Sequence, residues 1–262
     1  MRLGRALFVL PTLFTLTSVL MGVISLAAAA QGDFRLSALT IFFAILFDSI
    51  DGGVARLTRT QSKFGVQIDS LADVISFGVA PALLVYLSLL KGAFIGRGFD
   101  WGLAIAFVYL GTGAIRLARY NVDSDRKPGP VRTFIGLPIP AGAGCLAGLV
   151  LGLVKEGTVL TAPMATIFML LLSFLMVSRV RFRKKINLRD PAVAVQLVFL
   201  AVTVGATMLI RPAFAAFSFF ACYTAFGVAE STLSRLFKPL RNHFPFTRRS
   251  RSNDKIKRKL RR

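Results

Sequence analysis

The sequence predicts an all-α, polytopic transmembrane helical bundle of about eight spans, and three observations carry that prediction. Hydrophobic residues make up 55% of the 262-residue chain, and its mean hydropathy is +0.65. Apolar runs of about 20 residues, the length that crosses a bilayer as a helix, recur along the whole chain. These runs are continuously apolar rather than alternating, which excludes a membrane β-barrel, the other architecture that pairs every backbone N–H and C=O within lipid.

The expected spans are residues 7–30, 36–57, 68–91, 101–121, 136–154, 158–178, 192–210 and 213–236. Arg2, Arg5, the apolar stretch and "SLAAAAQ" also fit a cleavable signal peptide. A first span fits better, because the run is long and Pro11, Thr12, Thr15, Thr17 and Ser18 interrupt it. The connections are short, so residues 1–236 read as one membrane domain. Residues 237–262 read as a basic, disordered cytoplasmic tail.

Charge sets the expected orientation. With the N-terminus in the cytoplasm, only Arg35, Lys91, Arg97, Lys155 and Arg211 of the 33 cations fall outside. The positive-inside bias therefore puts both termini, and the ends of spans two and three, on the cytoplasmic side. The implied location is the inner or plasma membrane of a prokaryote. Much of the net charge of +21 sits in the tail, where anionic lipid head groups attract each cation by about 1 kcal/mol. Nucleic acid is the alternative partner, but Phe237, Phe244 and Phe246 between the cations favour a membrane surface. Cys145 and Cys222 lie in apolar runs and His243 in the tail. Neither a disulfide framework nor a thiolate or histidine metal site is expected.

"FDSIDGGVARLTRTQSKFGVQIDSLADVISFG" (47–78) breaks the apolar pattern. Four of the chain's 12 acids, Asp48, Asp51, Asp69 and Asp73, fall within it. An ionised aspartate at membrane depth costs from about 3 kcal/mol upward, so four demand a shared reason. Asp48 and Asp51 are spaced i, i+3 and share one helix face; Asp69 and Asp73, at i, i+4, share a face of the next helix. A short connection makes the helices antiparallel neighbours, so the two pairs can face each other. Divalent cations relieve the mutual repulsion. An all-oxygen donor set points to Mg²⁺ or Mn²⁺, with Ca²⁺ also open, and two such ions suit phosphoryl chemistry. Gly52 and Gly53 permit close backbone approach, although glycines also serve helix packing. Arg56 can fork onto a phosphate, although it can equally snorkel to the interface. Ser62, Lys63 and Gly65 sit in the connection.

The spacing D-x-x-D-G-x-x-A-R-x₈-G-x₃-D-x₃-D, filled by Asp48, Asp51, Gly52, Ala55, Arg56, Gly65, Asp69 and Asp73, resembles the signature of the CDP-alcohol phosphatidyltransferases. That resemblance implies a membrane enzyme that exchanges CMP of a CDP-linked lipid for an alcohol. It implies two divalent cations on Asp48, Asp51, Asp69 and Asp73, with Asp73 also the general base. It places Gly52, Ala55, Arg56, Ser62 and Gly65 at the CDP-lipid site, and it implies a homodimer. "LPTLFTLTSVLMG" in the first span is also family-like. Thr15 matches a CDP-site position, whereas Thr12 replaces the family's asparagine.

"VISFGVAPALLVY", "RLARYN" (116–121) and "FIGLPIPAGAG" (134–144) resemble the phosphatidylserine synthase branch, its archaeal counterparts included. The expected substrates are then CDP-diacylglycerol and L-serine. A zwitterionic acceptor needs a counter-charge for its carboxylate. Arg116, Arg119 and Asn121, with Tyr120 beside them, are the acceptor-site candidates; the arginines also fit plain interface anchors. Phosphorylated acceptors want cations too, so phosphatidylglycerophosphate or phosphatidylinositol phosphate synthesis remains the alternative. Pro138 and Pro140 break the start of the fifth span. The cationic "RVRFRKKINLRDP" (179–191) reads as a topology and head-group segment. A divalent-cation transporter would spread acids across membrane depth, and a membrane anchor leaves the aspartates unexplained.

Overall fold

The computed structural model describes residues 2–57, 62–96, 98–126, 133–158, 160–183 and 191–236. Helices α1 (Arg2–Ala30) and α2 (Phe34–Leu57) form an antiparallel pair. Helix α3 (Lys63–Asp73) runs through wide i→i+5 turns at Val74–Val79 into α4 (Ala80–Val85), and through a second wide stretch, Tyr86–Leu90. Then come α5 (Trp101–Arg126), α6 (Ile139–Glu156), α7 (Ala162–Val177), α8 (Pro191–Ile210) and α9 (Ala215–Leu236). Among the described residues six helical segments are long and apolar enough to cross a membrane, and Ala162–Val177 and Gln196–Ile210 are shorter apolar helices. The two shorter ones occupy the expected sixth and seventh spans.

Side-chain placement is that of a protein solvated by hydrocarbon. Phe107, Ile167, Phe174 and Leu209 are exposed on the outside of the bundle. Small and polar residues fill the helix seams instead, since lipid gives apolar surfaces no reason to leave it. Ser18, Gly22 and Ser25 line the face of α1 against its neighbours. Ser18 Oγ donates to the Ala44 carbonyl (3.2 Å), Ser25 Oγ to the Ser37 carbonyl (3.0 Å), and Ser76 Oγ to the Ser18 carbonyl (3.0 Å). A Cβ at Gly22 would sit 2.8 Å from Ser76 Oγ.

Helix α6 is the central column, with residues 141–150 all buried. A Cβ at Gly144 would meet the Phe220 ring at 2.6 Å, and one at Gly148 the Phe217 backbone at 2.7 Å. Glycine on α6 thus admits the aromatic face of α9. Pro138 is the N-cap residue of α6 and Pro140 lies in its first turn, where proline's missing N–H costs nothing.

Two short two-stranded sheets were not expected from the sequence. β1 (Ile95–Gly96) pairs antiparallel with β2 (Phe99–Asp100) before α5. β3 (Thr133–Ile135) pairs with β4 (Arg181–Arg183), Phe134 opposite Phe182, and so ties the α5–α6 connection to the α7–α8 connection. Three residues of the expected cationic segment, Arg181–Arg183, therefore form a strand; residues 184–190 and the tail, 237–262, lie outside the described residues.

Candidate active site

The C-terminal parts of α2 and α3 meet the C-terminal end of α5 at one end of the bundle. Carboxylate oxygens of Asp48, Asp51 and Asp69 all lie within 4.8 Å of one another. Asp51 is buried, while Asp48 and Asp69 are half-buried. Helical spacing does bring the two acidic pairs face to face.

Asp73 stands beside this trio. Its carboxyl group is within hydrogen-bonding reach of Asp48. Its Oδ1 is buried and has no hydrogen-bond partner among the described residues. Buried polar oxygens are almost always paired, so this atom has capacity for a ligand or a proton. Three clustered carboxylates and one unpartnered oxygen fit a hard divalent cation.

Thr15 lies across from the cluster on α1 and donates its hydroxyl hydrogen bond to Asp51 Oδ2 at 2.8 Å. Expected at the CDP-lipid site, it is placed against a carboxylate. The Gly52 amide also reaches the Asp51 carboxylate. Cβ atoms built at Gly52 or Gly53 would meet nothing within 4 Å among the described residues, so no described side chain fills that face of α2 beside the carboxylates. Ser62 and Gly65 bond to each other: Ser62 is the N-cap of α3, and its Oγ accepts the Gly65 amide at 3.0 Å. This cap satisfies an orphan N–H and fixes where α3 begins. The backbone of Ala55 and Arg56 continues α2, and their side chains lie outside the described residues.

The acceptor-site candidates separate. Arg116 is buried and interacts electrostatically with Asp73, Tyr120 and Tyr223. Arg119 turns toward α7, donating to the carbonyls of Val177 (3.1 Å) and Met176 (3.4 Å). There it caps the C-terminal end of α7, a favourable place for a cation. Asn121 Nδ2 donates to Ser70 Oγ at 2.8 Å, tying α5 to the α3 turn between Asp69 and Asp73.

Sequence reasoning missed Ser70 and Tyr223. Ser70 lies inside the motif, but its partner is 51 residues away. Tyr223 sits in an apolar span with no local pattern to mark it.

The sequence pattern of the CDP-alcohol phosphatidyltransferase family matches residues 8–178. The chain belongs to the CDP-alcohol phosphatidyltransferase family. A Helicobacter pylori protein named CDP-diacylglycerol–serine O-phosphatidyltransferase is 36% identical over 85% of this chain and 90% of its own length. A Mycobacterium tuberculosis protein of the same name is 36% identical over 56% of this chain and 51% of its own length. The archaetidylserine synthase of Methanothermobacter thermautotrophicus is 33% identical over 66% of this chain and 69% of its own. As a CDP-alcohol phosphatidyltransferase with these apolar helices, the chain is an integral membrane protein. The matched residues contain all four aspartates, Thr15 and Arg116, whereas α9 and its Tyr223 lie beyond them.

Proposed function

We propose that this phosphatidyltransferase is a phosphatidylserine synthase, which transfers the phosphatidyl group of CDP-diacylglycerol to the hydroxyl of L-serine and releases CMP. The observation that carries this reading is the buried Arg116 beside Asp73, a cation next to the proposed base. The printed names of the relatives favour the same acceptor.

Asp48, Asp51 and Asp69, with Asp73, would hold the divalent cations. Mn²⁺ or Mg²⁺ bound there would supply electrostatic stabilisation of the pyrophosphate charge as CMP departs. Open Gly52 and Gly53 let the pyrophosphate approach the α2 backbone. Asp73 takes the proton from the serine hydroxyl, and its unpartnered oxygen is the atom for that task. Arg116 receives the serine carboxylate and fixes the amino acid with its hydroxyl toward Asp73. Asn121 holds α3 in register through Ser70, and Arg119 braces α7.

The site sits at the bundle end that gathers the arginines, so we place it on the cytoplasmic face of a prokaryotic membrane. Residues 1–236 form the catalytic domain; the basic tail contacts anionic head groups, and the enzyme works as a homodimer. The test offers purified protein CDP-diacylglycerol and Mn²⁺ with serine, glycerol 3-phosphate or inositol phosphate in separate reactions, following CMP release. Serine alone should support turnover; release only with a phosphorylated acceptor moves the protein to another branch of the family.

A further inference from the structure

The polar seam on α1 changes character at its site end. Ser25 and Ser18 each donate to a backbone carbonyl of α2, at Ser37 and Ala44. Those bonds dock one helix on another. Thr15, one turn further toward the site, donates instead to the Asp51 carboxylate, 2.8 Å away and 36 residues distant in sequence. Both partners are buried, Thr15 at 6% and Asp51 at 4% exposure. The Asp51 carboxylate that accepts this bond also faces Asp48 and Asp69.

We infer that Thr15 is a positioning residue for the cation site rather than a nucleotide contact. Its bond to Asp51 Oδ2 fixes the plane of the carboxylate that faces the acidic cluster. Partners that orient a ligand in this way are worth 10–100-fold in metal affinity. The α1 seam sets where Thr15 stands, because Gly22 against Ser76 and the Ser18 and Ser25 bonds lock α1 onto α2 and the turns after α3. The inference rests on the proposed divalent-cation role of the aspartates.

The experiment measures Mn²⁺ binding to full-length protein in lipid nanodiscs, without substrate, from the loss of the free-Mn²⁺ EPR signal. Wild type, Thr15→Val, Thr15→Ser and Asp51→Asn are compared. Thr15→Val should weaken Mn²⁺ binding about 10–100-fold, and Thr15→Ser, which keeps the hydroxyl, should stay near wild type. The KM for CDP-diacylglycerol at saturating Mn²⁺ should be unchanged in Thr15→Val. Unaltered Mn²⁺ affinity with a raised lipid KM overturns the inference and returns Thr15 to the nucleotide. If Thr15→Val is not monodisperse, Thr15→Ala takes its place with the same expectations. Failure of wild type to bind Mn²⁺ overturns the cation-site reading itself, a different result from binding that ignores Thr15.

Discussion

At the scale of single residues, the site separates into groups that gather charge and groups that aim it. Asp73 differs from the three clustered aspartates in having a buried oxygen with no partner among the described residues. Asp73→Asn keeps the shape and removes the basicity. Turnover should fall by at least ~10²-fold, the range of a lost general base, with an unchanged elution profile in size-exclusion chromatography. Arg116 makes a different prediction. A hydrogen bond to a charged group is worth ~1.5–3 kcal/mol, so Arg116→Ala should raise the KM for serine by roughly 10–100-fold. The KM for CDP-diacylglycerol should hardly move. A rise confined to the lipid would assign Arg116 to phosphate instead. Arg119→Ala removes the cap on α7 and should lower thermal stability more than it changes the serine KM.

At the scale of elements, helices were legible and their joints were not. Each expected span coincides with a helical segment because a run of some 20 apolar residues has no other stable form in lipid. The aspartate pairs were legible for a similar reason: i, i+3 and i, i+4 spacing fixes a common face whatever the tertiary context. The strand pairs were hidden, since two or three residues of strand carry no periodic signal and β3 finds its partner some 50 residues on. Arg119 and Asn121 sit in one motif, yet they point to α7 and α3 respectively. Nothing in a linear pattern reports that divergence. The β1–β2 end is also held by a single side chain. Asp100 accepts from the Gly92 amide (3.1 Å), the Gly102 amide (2.9 Å) and the Tyr86 hydroxyl (3.1 Å). These bonds, the Gly92 amide foremost, hold its carboxyl below the ordinary value of 3.8. A depressed folded-state pKa gives stability that is full above 3.8 and lost as pH falls through the lower folded value. In thermal melts, Asp100→Asn should be less stable than wild type at neutral pH, and the gap should close only below that value.

At the scale of the whole molecule, one arrangement has to serve two solvents. The aspartates need water-borne serine and cations, while the diacylglycerol chains need hydrocarbon, so the site belongs at a membrane face. The bundle supplies two distinguishable faces. One carries the ends of α2 and α5, the start of α3, and β3–β4; the other carries the α1–α2 turn and the β1–β2 hairpin. With alternating spans, all but five of the 33 cations of the sequence fall to the aspartate side or the tail, and the positive-inside rule then predicts that this side faces the cytoplasm. The orientation can be measured with two single-cysteine proteins, built after Cys145→Ala and Cys222→Ala remove the native thiols. Asp123→Cys places an exposed thiol at the site end of α5, and Ala93→Cys places one beside β1, at the opposite end. A membrane-impermeant maleimide should label Ala93→Cys from outside intact spheroplasts and Asp123→Cys only in inverted vesicles. The reverse pattern would put the site on the face where CDP-lipid and serine do not meet, and with it would go the phosphatidyltransferase geometry proposed here. Labelling of both from one side would mean that α5, the helix between the two positions, does not cross, and the alternation of spans would fail there.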